Sequence, residues 1–385
     1  MRLLGLGLAA VLVAGCSTDP DPRSDDDASG ASTPVASASG NPPFEVEEVD
    51  RFETPWAMAF VPGTGDLLVT ERTGTLTLRD AETGERTEVS GVPDVVAAGQ
   101  GGLGDVVVAP TFEDDQRVYL SWAEAGDGGT GAVVGRARLA TGDGSAALED
   151  LEVVWRQTPK VSGNGHFSHR IAFDPDGEHL FISSGDRQQK TPAQDTSNTL
   201  GTIVRLTLDG EPAPGNPLAD EGGASAEIWS WGHRNPLGLE FADDGTLWSS
   251  EMGPEGGDEL NIIEKGGNYG WPEASNGSDY GGGEIPDHTD GDRFVAPRTG
   301  WTPSISPGSL LIYTGDLFPE WKGDAFLGAL SGESLVRVDL DGTTAGDDER
   351  IVEGQRVRAV EQAPDGSIWL LEDAGSGRLL RLAPA

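Results

Sequence analysis

Arg170-Ile171-Ala172-Phe173-Asp174-Pro175-Asp176-Gly177-Glu178-His179-Leu180-Phe181-Ile182-Ser183 carries two short apolar runs on either side of an Asp-Pro-Asp-Gly turn. Asp-Gly between two period-two runs is a strong hairpin signal, because the turn needs backbone angles that glycine reaches without steric cost. The unit recurs: residues 57–62 lead to 66–70, 104–110 to 117–121, 238–245 to 246–249, and 358–366 to 367–371, with a looser copy running from 324–330 to 334–338. Six hairpins at irregular spacings predict an all-β fold, a six-bladed β-propeller. A β-sandwich is also all-β but does not explain six copies of one unit. The strand 44–52 is expected to close the ring by pairing with the last hairpin. The longest irregular stretches, 185–227 and 252–305, predict long loops on one face of the ring, where ligand sites commonly lie. No segment holds a 3.6-residue apolar period long enough for a major helix.

Composition agrees with many short strands joined by turns: 385 residues include 56 Gly and 25 Pro, and 36% are hydrophobic. The 65 acidic residues against 26 Lys and Arg leave a formal charge of −39, which repels phosphate backbones and excludes a nucleic-acid partner. A single cysteine excludes a disulfide framework and a multi-cysteine metal cluster. That cysteine, Cys16, follows Met1-Arg2 and an apolar run over residues 3–14, too short for the roughly 20 residues that span a bilayer. The pattern is that of a secretory signal peptide, and Leu12-Val13-Ala14-Gly15-Cys16 resembles a bacterial lipobox. An ordinary signal peptide with an incidental cysteine is the alternative. The expected organisation is a lipoprotein signal peptide over 1–16 with Cys16 lipidated, a disordered Ser/Asp/Pro/Ala tether over 17–43, and the propeller over 44–385. Such a protein would be exported and held at the outer face of the cell membrane, in the periplasm or at the cell surface, through its lipid alone.

Several constellations suit chemistry. Gly99-Gln100-Gly101-Gly102-Leu103-Gly104 matches the dinucleotide fingerprint, but a β run follows it rather than a helix, so nucleotide binding is rejected. In Asn164-Gly165-His166-Phe167-Ser168-His169-Arg170, either histidine suits a general base, with Asp186 after the next strand placed to orient it; a structural histidine is the competing reading. Arg234-Asn235 suits an anionic, carbonyl-rich ligand, and Arg356 and Arg358, two apart in an extended run, project to one side. A structural ion pair would use the same residues. The acidic, Gly-Pro-containing stretch from Glu251 to Asn261 offers oxygen ligands for a hard cation, most naturally calcium, or is simply a solvated acidic loop.

These motifs, in this order over roughly residues 50–382, resemble the soluble PQQ-dependent aldose sugar dehydrogenases, the glucose/sorbosone dehydrogenase family. Further stretches carrying the resemblance are Pro55-Trp56-Ala57, Gly267-Asn268-Tyr269-Gly270-Trp271-Pro272 and Gly354-Gln355-Arg356-Val357-Arg358. The resemblance implies a six-bladed propeller in which Gln100, Arg234, Asn235, Tyr280, Arg356 and Arg358 hold pyrroloquinoline quinone (PQQ), a tricarboxylate, with Ser304 a further contact. It implies that Gly253 and Pro254 give carbonyl oxygens to a Ca2+ beside the quinone, and that Glu259 and Tyr269 serve a second calcium. His166 would be the base, supported by Asp186, with Arg234 stabilising developing negative charge. The reaction implied is oxidation of an aldose at its C1 hydroxyl to a lactone by hydride transfer to PQQ, followed by reoxidation by an external electron acceptor. Two departures stand out. Ser331 follows Ala329-Leu330 where the family often has Lys, so one cationic contact is absent, and His169 replaces a common Gly and is expected to crowd the base. The competing readings are a non-catalytic propeller that binds sugar or protein after losing PQQ, and a calcium-dependent lactonase, which would lack quinone-binding arginines.

Overall fold

The hairpin quoted first forms as expected: strands Ser168–Phe173 and His179–Ser184 pair antiparallel, with Ile171 opposite Ile182 and Phe173 opposite Leu180. Thr202–Thr207 and Ile228–Trp231 then add in order, giving a four-stranded meander. The computed structural model describes residues 44–385, so the signal peptide, Cys16 and the tether lie outside the described residues. Three further four-stranded sheets begin at Pro236–Phe241, Pro307–Ile312 and Val357–Gln362. An eight-stranded sheet contains two more meanders, beginning at Pro55–Phe60 and Leu103–Val108. They are joined at their outer edges by a parallel pairing of Val89 with Ala146 and Ser90 with Ala147. The strand Phe44–Phe52 pairs with Gly377–Pro384, from Phe44 opposite Pro384 to Phe52 opposite Gly377, and completes the last sheet.

The leading strands of the six meanders touch in sequence, and the sixth touches the first. Their entrances lie at one level. The buried Arg170 donates from Nε to the Leu237 carbonyl (2.7 Å), from Nη2 to the Gly308 carbonyl (2.7 Å) and from Nη1 to Asp105 Oδ1 (2.9 Å), while resting on the Trp56 ring at 4.1 Å. Every leading strand also has a register shift within its first residues: Pro55/Ala57, Leu103/Val106, Ser168/Ile171, Pro236/Gly238, Pro307/Ser309 and Val357/Ala359. A bulge bends the strand and re-aims the adjacent side chains, so six entrances are bent around one mouth. Beyond Arg170 the same strands line a cavity of about 540 Å³, with Phe60, Phe173 and Phe241 toward its far end.

Apolar side chains fill the spaces between sheets. Trp56, Leu76, Leu120 and Trp122 form one cluster, and Phe44, Phe326, Leu335 and Leu370 another. Each such side chain contributes about 1.5–3 kcal/mol on burial. Two expectations need correction. Residues 324–330 and 334–338 supply the second and third strands of their sheet; the leading strand is Pro307–Ile312, buried at every position and therefore without alternation. The stretches 185–227 and 252–305 are not pure loops, since Thr202–Thr207, Asp258–Ile262 and Thr299–Trp301 lie in the sheets. Glu255–Gly256, Gly277–Asp279 and Gly283–Glu284 make a small ribbon.

Candidate functional site

Gln100, His166, Arg234, Asn235, Ser304 and Arg356 all fall in the segments that enter leading strands, and Arg358 is the second residue of its strand. The segment before Ser168–Phe173 is unusual: His166, Ser168 and His169 have φ of 46, 58 and 52°, a left-handed backbone that costs of order 1–3 kcal/mol per strained residue and persists only when surroundings enforce it. Arg187 does the enforcing. It is fully buried on the Phe167 ring (3.7 Å) and donates to the carbonyls of Gly163 (2.5 Å), Gly165 (2.7 Å) and Thr130 (2.6 Å). Gln100 Oε1 accepts the His166 N–H at 2.7 Å, tying in the neighbouring entrance.

His166 Nδ1 lies 2.7 Å from Asp186 Oδ1. Asp186 is fully buried, and its oxygens also accept the Gln188 N–H (2.8 Å), the Lys190 N–H (3.1 Å) and the Trp271 indole N–H (2.8 Å). Burial alone would raise the Asp186 pKa, but the adjoining His166, Arg234 and the Trp271 hydrogen bond hold it below the ordinary carboxylate value. Burial, then the Arg234 charge, lower the His166 pKa against the opposing pull of Asp186. The ring is therefore neutral at pH 7. An ionised carboxylate only accepts, which places the proton on Nδ1 and leaves Nε2 as a lone-pair base.

His169 does not crowd this base, contrary to the sequence expectation. Its ring stacks on Trp56 (5.1 Å, 10° between planes) in space that a Cβ at Gly104 would occupy. Its Nδ1 is 2.6 Å from Ser121 Oγ, which itself accepts the Asp105 N–H. Burial and then Arg170 hold its pKa near 3. Of the two histidines, His166 is the one with an oriented, available nitrogen.

The Arg234 and Asn235 N–H groups both point at Glu251 Oε1. The Arg234 guanidinium donates to the carbonyls of Gly253 (2.7 Å) and Met252 (3.2 Å), reaches the Tyr280 hydroxyl at 3.4 Å, and lies over the Trp271 and Tyr280 rings. Its Nε is buried without a partner, and no carboxylate pairs with it among the described residues. A buried guanidinium with no carboxylate in direct contact favours an anion. Asn235 accepts from Ser168 Oγ at 3.0 Å. Arg356 and Arg358 do project to one side, where they share Asp373 at 2.6 and 2.8 Å. Burial opposes ionisation of Asp373, yet Arg358 and Arg356 hold its pKa near 2. Two guanidiniums on one carboxylate leave a positive excess. Ser331 joins a hydroxyl cluster that offers no cation, 2.8 Å from Ser306 Oγ and 3.1 Å from the Ser304 carbonyl, while Ser304 Oγ donates to Asp258 at 2.7 Å.

Beside Arg234 is an acidic pocket lined by Gly253, Gly257, Glu251, Glu259, Tyr269 and Trp271. Glu251 and Glu259 are cross-strand partners. Glu251 Oε2 is 3.0 Å from His233 Nδ1; Glu259 accepts from Asn261 Nδ2 at 3.0 Å. Burial, then the Glu251 charge, push Glu259 up to about 8, and Asn261 Oδ1 is buried without a partner. The pocket is rich in oxygen; Arg234 also lines it, and His288 Nε2 lies 3.7 Å from Glu259 Oε1. No three His, Cys, Asp or Glu residues group as metal ligands among the described residues, so a cation here would need carbonyl or amide oxygens besides the Glu251/Glu259 carboxylates. The Tyr269 hydroxyl is spent on the Ile262 carbonyl (2.6 Å) and the Glu264 N–H, leaving its main-chain oxygen as the donor. Pro254 follows Gly253 in the turn, and the Gly253 N–H is fixed by Asp258 Oδ1 at 2.8 Å. Sequence reasoning missed Arg187, Trp271, Asp373 and the His233–Glu251 pair. Trp271 and Glu251, each inside a stretch that the sequence marks out, left a local signal; Arg187 and Asp373 left none.

The family model described as Glucose / Sorbosone dehydrogenase matches residues 52–381. The aldose sugar dehydrogenase YliI of Escherichia coli (strain K12) is 42% identical over 343 residues, covering 87% of this chain and 91% of that protein. The apo crystal structure of the soluble aldose sugar dehydrogenase from Escherichia coli superposes with a TM-score of 0.84 at 40% identity, covering 89% of this chain and all of the other. The PQQ-bound aldose sugar dehydrogenase of Streptomyces coelicolor gives 0.74 at 34% identity, covering 88% of this chain and 98% of the other.

Proposed function

The chain belongs to the glucose/sorbosone dehydrogenase family, and from that premise we propose that it is a quinoprotein that oxidises aldose sugars at C1 to lactones with PQQ and Ca2+. The six meanders are read as the six blades of a propeller, with the site at the mouth where the leading strands begin. The observation that carries the proposal is a buried imidazole, oriented through Nδ1 by Asp186, beside a buried guanidinium whose Nε has no partner.

The residues fit the group. The unpartnered Arg234 Nε and the positive excess of Arg356 and Arg358 suit a tricarboxylate, with Asn235, Gln100, Tyr280 and the Ser304/Ser331 hydroxyls as polar contacts. The Pro254 carbonyl suits a Ca2+ beside it, and the Gly253 carbonyl, which accepts from Arg234 Nη1 at 2.7 Å, would serve the same cation through its second lone pair. The acidic pair Glu251/Glu259 and the orphaned Asn261 oxygen suit a second cation, with Glu259 and the Tyr269 carbonyl as ligands. When bound, PQQ supplies the two-electron acceptor for the C1 hydride. His166 Nε2 takes the hydroxyl proton of the sugar, and Asp186 stabilises the imidazolium that results. Arg234, itself buried, stabilises negative charge that develops next to it. Reoxidation falls to an external electron acceptor. Export and lipid anchoring through Cys16 would put that exchange at the outer face of the membrane.

Ser331 favours one other reading, a sugar- or protein-binding propeller that has lost PQQ, because a hydroxyl there supplies no charge. Titrating the purified protein with PQQ and Ca2+ while following dye reduction on a panel of aldoses separates the two. Saturable, PQQ-dependent reduction that is abolished by prolonged chelation and restored by Ca2+ is expected. No binding of PQQ would leave the non-catalytic propeller standing.

A further inference from the structure

Trp271 arrives at Asp186 from 85 positions away, out of the segment that follows Asp258–Ile262. It is buried and held from both sides: its N–H donates to the Gly232 carbonyl at 2.9 Å, and its own carbonyl accepts from Gln194 Nε2 at 2.8 Å. Its ring lies under the Arg234 guanidinium, 5.2 Å from the ring centre. Its indole N–H meets Asp186 Oδ2, the oxygen that His166 does not use, at 2.8 Å.

We infer that Trp271 is a positioning residue for the base, acting through Asp186: its indole N–H fixes the plane of the carboxylate and tempers the basicity with which that carboxylate holds the His166 ring. The chemical consequence rests on the dehydrogenase reading above; the coupling itself does not. Asp186 has four donors for its two oxygens, and two of these, the Gln188 and Lys190 N–H groups, are main-chain groups of its own turn. Trp271 is the remaining side-chain donor besides His166 and ties the carboxylate to the segment between Asp258–Ile262 and Thr299–Trp301. A hydrogen bond to a carboxylate stabilises its charged form and lowers its proton affinity. Without the indole, Asp186 becomes more basic, draws the Nδ1 proton more strongly, and favours the imidazolium. The charged groups acting on His166 are Asp186, Arg234 and Arg187. The Lys190 ammonium is turned away onto Asp279, at 2.8 Å from both carboxylate oxygens. Of these groups only Asp186 is touched by Trp271 through a hydrogen bond.

Trp271→Phe keeps the ring over which Arg234 lies and removes the N–H. The test is ¹H–¹⁵N NMR of the His166 ring in the apoprotein, which needs neither cofactor nor sugar. The His166 pKa should rise by about one unit. In the loaded enzyme kcat should fall by ~10-fold with KM nearly constant, and the acid limb of the pH–rate profile should move to higher pH. A folded Trp271→Phe protein with an unshifted His166 pKa would overturn the inference. A second measurement uses the unmutated protein: the Trp271 indole proton should shift as His166 titrates, and an indole resonance indifferent to that titration would equally overturn it. If the unmutated protein shows this coupling yet oxidises no sugar with PQQ and Ca2+, the dehydrogenase reading fails and the positioning inference is supported.

Discussion

At the scale of single residues, His166 is set by two opposed influences. Burial and the Arg234 charge disfavour the imidazolium, while Asp186 favours it, and the outcome is a pKa below the ordinary histidine value. The base works when neutral, so activity is lost as pH falls through this lowered pKa. The rate should therefore hold steady from pH 8 down past about 6.5 and fall only below it, a profile read from kcat/KM across a buffer series. An acid limb centred above 6.5 would contradict the assignment. Replacing the ring altogether, His166→Ala, should cost ~10²–10⁴-fold in kcat, measured with saturating sugar and PQQ; unchanged turnover would remove His166 from the mechanism. His166 and Asp186 were legible because each stands next to a strand that the hairpin pattern locates. The silence of His169 was not legible: its stacking on Trp56 and its bond to Ser121 join three separate meanders. Nothing in the spacing His166-Phe167-Ser168-His169 shows which ring turns inward.

At the scale of elements, the sixth meander owes part of its cohesion to one carboxylate. Asp373, in the turn after Ile368–Glu372, grips Arg356 at the entrance and Arg358 within the leading strand Val357–Gln362. Its folded pKa, near 2, lies below the unfolded value. The stabilisation is thus fully present above about pH 4 and is lost as pH falls from there toward 2, and it amounts to about 2 kcal/mol. Asp373→Asn should lower the unfolding free energy from urea titration at neutral pH by an amount of that order, with the difference from the unmutated protein shrinking below pH 4. A constant difference at every pH would show that the effect is steric. Element by element, five of the six hairpins were readable because in each a short turn of five to eight residues joins the leading strand to the second. The fifth was displaced by one strand because Pro307–Ile312 is buried throughout and residues 313–324, rather than a short turn, separate it from Ala325–Ala329. Asp258–Ile262 was lost in an apparent loop for the same reason, being buried at all five positions.

At the scale of the molecule, a ring of sheets must be closed, and this one is closed by its first strand lying on its last. Phe44–Phe52 covers the edge of Gly377–Pro384 and inserts two rings. Phe44 meets Trp321 edge-on at 5.7 Å, and Phe52 joins Met58, Leu67 and Leu379 between the first and last sheets. Removing the strand deletes both rings, a loss of about 1.5–3 kcal/mol each, and bares a row of unpaired N–H and C=O groups that invites pairing with another chain. A chain covering 53–385 should therefore melt well below one covering 44–385, and it should associate. The charge of −39 adds a second signature. Self-repulsion opposes association at low ionic strength, and salt screens it, with a Debye length of about 10 Å at 0.1 M. Light scattering should accordingly show the shortened chain forming oligomers as salt is raised, while the longer chain stays monodisperse under the same conditions. Equal melting temperatures and equal scattering would mean that the ring holds without its closing strand and that the core between the sheets suffices.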